Sequence, residues 1–133
     1  AYDGGPFYDV LSGGKVKYLD LTIPQYGLPA YDWIVSVEVA EHIAPEFEFI
    51  YLDNILRHAK EGIIISYAMP NFPGFNHVNT KYLHHLTFYI DKLGFTCNEE
   101  ASTKLRQALS HPDLKYDNLA VYERFSPIDI MEL

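Results

Sequence analysis

The segment Tyr31–Ile43, YDWIVSVEVAEHI, constrains the fold of this 133-residue chain more than any other. Its first part is a continuous apolar run rich in β-branched residues, which is typical of a parallel strand covered on both faces. The run ends in three ionisable side chains, Glu38, Glu41 and His42. In open α/β folds, loops beyond the carboxyl ends of the strands converge on the ligand crevice. The segment therefore predicts a buried strand, Asp32–Val39, that carries a site at its end.

A strand–helix–strand unit is predicted around this segment. The helix Pro45–Lys60 has apolar residues at helical spacing along one face, and Gly62 ends it. Ile63–Tyr67 is a second apolar run typical of a buried strand. Before the segment, Val16–Thr22 alternates as a strand does. Strand, helix and strand in this order predict an α/β fold with these three strands parallel.

The C-terminal half is predicted to continue the same single domain, which comprises residues 1–133. The last strand is expected to run antiparallel to the others. The predicted elements are a helix from Asn79 or Thr80 to Gly94, a short strand Phe95–Asn98, a helix from Ala101 that ends before Pro112, a last strand Leu119–Phe125, and a tail Ser126–Leu133.

These residues resemble class I S-adenosylmethionine-dependent methyltransferases through most of the chain. YDWIVSVEVAEHI resembles the fourth strand and following loop of that family, KVKYLDLT the third strand and EGIIISYA the fifth. The family's first strand and its glycine-rich G-x-G-x-G turn, which approach the methionine part of the cofactor, are not in this sequence. The resemblance implies a Rossmann-like, methyltransferase-type sheet, mostly parallel with an antiparallel C-terminal strand and truncated at the N-terminus.

The resemblance implies S-adenosylmethionine as the cofactor and a small molecule as the substrate. The alternative is a non-catalytic methyltransferase-like module that binds or interacts without catalysis. On the family pattern, Asp3 binds the ribose hydroxyls and Asp20 accepts a hydrogen bond from the adenine amino group. Glu38 is assigned to the cofactor site as well, with a structural role as its alternative. The alternative for Asp20 is a surface acid in the turn before Pro24.

Three further side chains, Glu41, His42 and His77, are the predicted catalytic group. A carboxylate beside an imidazole can orient the ring and raise its pKa, which suits a general base. Alternatively, Glu41 or His42 caps the helix that follows. His77 belongs to a loop, Met69–Asn79, that is expected at the same edge of the sheet. The spacing of these residues matches no established metal-site signature, so no metal is expected.

Composition excludes several classes of partner. The formal net charge is −8, and ten Lys and Arg residues form no basic stripe, so nucleic acid is not an expected ligand. Cys97 is the only cysteine, which rules out an internal disulfide. No apolar run approaches the roughly 20 residues that span a bilayer. Without a signal peptide in the sequence, a cytoplasmic location and no membrane partner are expected.

The missing first strand leads to two expectations about assembly and cofactor binding. The chain begins in AYDGG, which resembles the end of a strand, so a processed chain or a fragment is expected. Either Val16–Thr22 pairs directly with Asp32–Val39, or a second copy of the chain fills the gap as a homodimer. S-adenosylmethionine should bind weakly or not at all, because only the adenosine side of the cleft remains.

Overall fold

The computed structural model describes residues 1–70, 72, 74–114 and 118–125. They form two small sheets and four α-helices, connected by 3₁₀ turns. The strands are β1 (Tyr2–Asp3), β2 (Lys17–Tyr18), β3 (Tyr31–Ser36), β4 (Ala59–Ser66), β5 (Phe95–Cys97) and β6 (Leu119–Arg124). The α-helices are α1 (Tyr8–Leu11), α2 (Glu48–Arg57), α3 (Thr87–Lys92) and α4 (Glu99–Ala108). The 3₁₀ turns are Ala40–His42, Pro45–Phe47, Leu83–Leu86 and Pro112–Leu114.

The larger sheet has the strand order β3-β4-β6-β5. β3 and β4 are parallel, and β6 is antiparallel to both of its neighbours. The predicted α/β class, with parallel strands followed by an antiparallel C-terminal strand, is confirmed. None of the helices in the described part of the chain is long and apolar enough to cross a membrane.

β3 is shorter and more exposed than the sequence predicts. Among the described strands only β4 pairs with it, so β3 is an edge strand and its other backbone edge is open. Trp33 is 40% exposed and Val35 is 65% exposed. The prediction that both faces of this strand are covered is therefore wrong. The strand also ends at Ser36 rather than Val39, because the backbone turns at Glu38, where φ is 58°.

The smaller sheet consists of β1 and β2, which are parallel. The predicted direct pairing of Val16–Thr22 with Asp32–Val39 is wrong, because β2 pairs with Tyr2–Asp3 and lies in a different sheet from β3. The strand predicted over Val16–Thr22 is only two residues long. It ends early because the backbone N–H and the hydroxyl of Thr22 both donate to Asp20 Oδ1, which closes a local turn.

Asn54 on α2 fixes the loop that joins the two sheets. Its side chain is almost fully buried. Its Nδ2 group donates to the carbonyl oxygens of Leu21 and Ile23, and its Oδ1 atom accepts from the backbone N–H of Gln25. Both functions of the carboxamide are thus used, as a buried amide requires. These hydrogen bonds attach the loop to α2, and Arg57 of α2 also lies over the ring of Tyr26, 4.5 Å from its centroid.

Helix α2 packs its apolar face on the larger sheet and is capped from the far end of the chain. It starts at Glu48 rather than at Pro45, which opens a 3₁₀ turn, and it ends before the predicted Lys60. The guanidinium group of Arg124 on β6 donates to the carbonyl oxygens of Leu56 and Ala59. Arg124 therefore satisfies one carbonyl group in the last turn of α2, that of Leu56, and one at the start of β4, that of Ala59. The core comprises Tyr51, Leu52, Leu56, Ile63, Ile65, Tyr67, Leu83, Ile90, Phe95 and Tyr122, among others.

The helix predicted from Asn79 to Gly94 is a 3₁₀ turn followed by α3. Asn79 does not cap it, because the Asn79 side chain is buried and donates to Glu48 instead. The short strand at Phe95, the following helix and the last strand are confirmed with small shifts of their ends. The predicted tail Ser126–Leu133 lies outside the described residues.

Replacement of Asn54 by alanine should destabilise the fold by roughly 2–4 kcal/mol, because three partly buried backbone groups lose their partner. Urea unfolding followed by circular dichroism measures this difference. The control is Asp53→Ala, which removes a partly exposed ion pair with Arg57 and should cost less than about 1 kcal/mol. Equal losses in the two variants would contradict the role given to Asn54.

Gly62→Ala should destabilise the pairing of β3, β4 and β6 by about 1–3 kcal/mol. A Cβ atom at this position would overlap the ring of Trp33, its register partner on β3, and lie 2.6 Å from the carbonyl oxygen of Tyr122. Thermal unfolding followed by Trp33 fluorescence reports on the contact directly. Gly27→Ala is the matched control, since its Cβ would meet no atom within 4 Å. If Gly62→Ala left the midpoint of thermal unfolding unchanged, the strands could move apart to accommodate the methyl group without loss of stability, and the prediction would be wrong.

Candidate functional site

A cleft of about 360 Å³ separates the two sheets. One wall comes from β1 and the segment after β2, and the other comes from β3 and the turn that follows it. The hydroxyl groups of Tyr2 and Tyr31 lie 3.0 Å apart and join the sheets by a hydrogen bond. The lining residues include Asp3, Leu19, Ile34, Ser36 and Val39. The cleft is therefore mostly apolar, with a few polar groups at strand ends, as small-molecule sites are.

The two aspartates predicted to bind cofactor lie at the ends of the paired strands: Asp3 is the last residue of β1, and Asp20 follows β2. Asp3 lines the cleft, and its Oδ1 atom accepts a hydrogen bond of 2.7 Å from the backbone N–H of Gly5. Asp20 is flanked by Leu19 and Leu21, which line the cleft, but it is not itself among the described lining residues. The hydrogen bonds from Thr22 hold the pKa of Asp20 below its usual range. Asp20 is thus a carboxylate at neutral pH.

Glu38 adopts a backbone conformation that is uncommon for a residue with a side chain. Its φ angle of 58° lies in the left-handed region, and its N–H donates to the hydroxyl of Ser66 at the end of β4. Burial raises the pKa of Glu38, and the nearby carboxyl group of Glu41 raises it further. Residues held in such conformations concentrate at functional sites. The turn brings Glu38 close to the predicted catalytic residues rather than into the lining of the cleft.

Glu41 is completely buried and its side chain is unusual in having no hydrogen-bond donor. Its backbone carbonyl oxygen accepts from the N–H groups of Val78 and Asn79, which docks the later loop against this turn. Neither carboxylate oxygen has a hydrogen-bond partner among the described residues. A neutral Glu38 would be able to supply a proton, whereas two ionised carboxylates are both acceptors. The predicted alternative, a side-chain cap on the next helix by Glu41 or His42, is wrong for the described elements.

The structure brings His42 and His77 beside this carboxylate. Their ring centroids are 5.0 Å apart, and His77 Nε2 lies 4.0 Å from Glu41 Oε1. The Nδ1 atom of His42 is 3.0 Å from the carbonyl oxygen of Asn76, and that of His77 is 3.2 Å from the carbonyl oxygen of Phe72. A carbonyl oxygen only accepts, so each Nδ1 carries the proton. Backbone carbonyls, rather than the expected carboxylate, therefore orient both rings.

Glu48 supports the loop that carries His77, and sequence analysis did not identify this role. Its carboxylate accepts hydrogen bonds from the hydroxyl of Tyr67 and the amide of Asn79. Lys81 Nζ lies 2.7 Å and 2.8 Å from its two oxygens. An acidic residue in the first turn of a helix is common, because the helix dipole stabilises a negative charge there. The sequence offers little indication that Glu48 has a further role, because its three hydrogen-bond partners lie 19 to 33 residues later in the chain.

No protein-family model matches the sequence, and no curated protein matches it either. Solved structures do match the fold. Magnesium protoporphyrin IX methyltransferase (ChlM) from Synechocystis PCC 6803, with bound SAH, is 19% identical with a TM-score of 0.57, covering 87% of this chain and 55% of that chain. The methyltransferase domain of bacterial CtHen1-C is 11% identical with a TM-score of 0.56, covering 94% and 76%. The complex of LepI with SAM is 12% identical with a TM-score of 0.55, covering 94% and 35%.

The chain thus spans about half the length of the Synechocystis enzyme. The match covers nearly nine-tenths of this chain or more. At these identities the likeness concerns the fold. The chain has the class I methyltransferase fold.

Proposed function

We propose that this chain forms the adenosine-binding and substrate-facing parts of an S-adenosylmethionine-dependent methyltransferase that acts on a small molecule. The observation that carries the proposal is the arrangement of Asp3 in the cleft and of Glu41, His42 and His77 beyond the end of β3. Ligands of open α/β sheets bind at this edge. Two of the similar structures, ChlM and LepI, hold SAH or SAM.

The cofactor side would use the two aspartates. Asp3 presents a carboxylate to the cleft, and a carboxylate can accept hydrogen bonds from both vicinal hydroxyls of a ribose. Asp20, kept ionised by Thr22, would accept from the adenine amino group at the rim beside Leu19 and Leu21. Glu38 would act on the cofactor only indirectly, by shaping the turn that follows β3.

The substrate side would use the imidazoles. In methyl transfer the substrate heteroatom bonds to the methyl carbon while the carbon–sulfur bond breaks and its electron pair stays on sulfur. Alignment contributes most of the rate, and a base removes the substrate proton. His42 is exposed, with Nδ1 bonded to the Asn76 carbonyl, so its Nε2 lone pair can accept that proton. His77 would hold the substrate from the opposite loop.

We further propose that the chain acts as a homodimer or with a partner that covers the N-terminal side of the sheet. Helix α1 has no buried residue in the described structure. Val10 and Leu11 on it are more than 70% exposed, and Val35 on the open edge of β3 is also exposed. Exposed apolar side chains and an unpaired strand edge are surfaces that soluble proteins normally cover.

Titration with S-adenosylhomocysteine tests the cofactor proposal. We expect weak binding, with a dissociation constant of about 1 mM, or about −4 kcal/mol, because the glycine-rich turn is missing from this sequence. Backbone NMR shifts should concentrate at Asp3, Leu19 and Val39, which line the cleft. Asp3→Asn should weaken binding by about tenfold, since it removes a charged acceptor.

The control for this titration is Asp9→Asn on α1, outside the lining of the cleft, which should leave binding unchanged. Shifts spread over the surface, or no saturation at any accessible concentration, would favour the non-catalytic module. Micromolar binding that Asp20→Ala abolishes would show instead that the cofactor site is complete without the missing turn.

Light scattering at micromolar concentration tests the assembly. We expect a mass above that of the 15.3 kDa monomer, and Val35→Lys should reduce it because a charge would be buried in the contact. Phe88→Lys, at an equally exposed apolar residue on α3, is the control and should not change the mass. A folded monomer for the unaltered chain would refute the homodimer.

A further inference from the structure

Two buried glutamates seven positions apart in the same part of the fold have opposite surroundings. Glu48 receives hydrogen bonds from Tyr67, Asn79 and Lys81, and so its charge is compensated. Glu41 is at least as deeply buried, yet no described donor reaches either of its oxygens. An ionised carboxylate that is buried without a partner is strongly disfavoured. Glu41 therefore requires a proton or a cation.

The two histidines beside Glu41 supply lone pairs rather than protons. Each Nδ1 atom faces a backbone carbonyl oxygen, at Asn76 for His42 and at Phe72 for His77. In neutral imidazole rings the remaining Nε2 atoms are then acceptors. A carboxylate and two such nitrogens form a set of three acceptors without a donor. Histidines that bind metals commonly donate their other ring N–H to a backbone carbonyl in this way.

The three side chains are close enough to share one ion. One potential ligand atom from each of Glu41, His42 and His77 lies within 4.8 Å of the others. Metal bonds of about 2.0–2.2 Å in a tetrahedral site place ligand atoms about 3.4 Å apart. Small side-chain rotations therefore suffice, and His42, which is exposed, has room to make them.

We propose that Glu41, His42 and His77 bind a divalent transition-metal ion, with zinc as the metal that suits two imidazoles and one carboxylate. Three protein ligands leave a fourth position open, on the exposed side of His42, for water or another oxygen ligand. This differs from the expectation of no metal, which rested on spacing along the sequence. The spacing is uninformative because His77 reaches the site from a separate loop.

The surrounding structure holds His77 in place for this role. The imidazole of His77 packs directly on Gly74, where an added Cβ atom would overlap the ring and displace it. Glu48 anchors the same loop through Asn79, and the carbonyl of Glu41 binds the N–H groups of Val78 and Asn79. The ligand on the loop is thereby tied to the element that carries the other two.

The metal proposal does not depend on the proposed methyl transfer, and it can be tested without cofactor or substrate. The two interpretations do compete for one atom. If His42 Nε2 binds a metal, it is not the base that accepts the substrate proton. The measurements below therefore also decide which role His42 has.

Zinc titration of the purified chain, followed by thermal unfolding and calorimetry, is the first test. We expect one zinc per chain, with micromolar affinity or tighter, and an increase in melting temperature of roughly 8 °C at hundredfold excess over the dissociation constant. Magnesium should produce a much smaller shift, since imidazole prefers zinc. His42→Asn and His77→Asn should each weaken zinc binding by at least about 100-fold.

The matched control is the double variant His84→Asn, His85→Asn. These two exposed rings are 4.4 Å apart and lie outside the proposed site, so their removal should leave zinc binding unchanged. Loss of the zinc response in this control would overturn the proposal. So would an unaltered chain whose melting temperature does not respond to zinc.

A second test compares the two glutamates without metal. Glu41→Gln should raise the metal-free melting temperature, because it removes an uncompensated buried charge, and should abolish the zinc response. Glu48→Gln should lower the melting temperature, because it weakens a compensated carboxylate. If Glu41→Gln is destabilising and zinc has no effect, a proton shared between Glu38 and Glu41 neutralises the site and the metal proposal is wrong.

Discussion

Helix α2 holds both sides of the candidate site through two buried polar side chains. Asn54 attaches the loop that leads from the smaller sheet, and Glu48 attaches the loop that carries His77. These hydrogen bonds fix the loop that follows β2 and the loop that carries His77 relative to α2. The helix itself is fixed by its apolar face on the sheet and by Arg124 at its end. The packing of α2 on the sheet therefore sets the geometry of the site indirectly, through the hydrogen bonds from α2 to the two loops.

The parts of the fold that depend on local periodicity could be predicted from the sequence. The apolar run at Tyr31, the helix after it and the next apolar run gave the correct strand–helix–strand unit, because each element buries one continuous surface. The same patterns could not show that β3 is an edge strand. A strand's neighbours are a property of the whole sheet, and the exposure of Trp33 and Val35 depends on them.

The candidate site, like the fold, was predicted only in part from the sequence. Glu41, His42 and His77 were grouped because strand ends meet at one edge, and the structure does bring them together. The orientation of the rings was not predictable, since the carbonyls that fix them belong to an irregular loop. Asn79 shows the difficulty clearly. It is a plausible helix cap by sequence, but burial beside Glu48 gives it a more favourable partner.

The position of β6 has a consequence for the order in which the fold can form. This strand comes last among those described, yet it lies between β4 and β5 and supplies Arg124 to the end of α2, more than sixty residues earlier. Contacts of such separation slow folding, because a long loop must close before they form. During synthesis one edge of β4 therefore stays unpaired until the ribosome has released the residues of β6. Chaperone binding to the nascent chain would be expected in that interval, when the edge of an apolar strand is open.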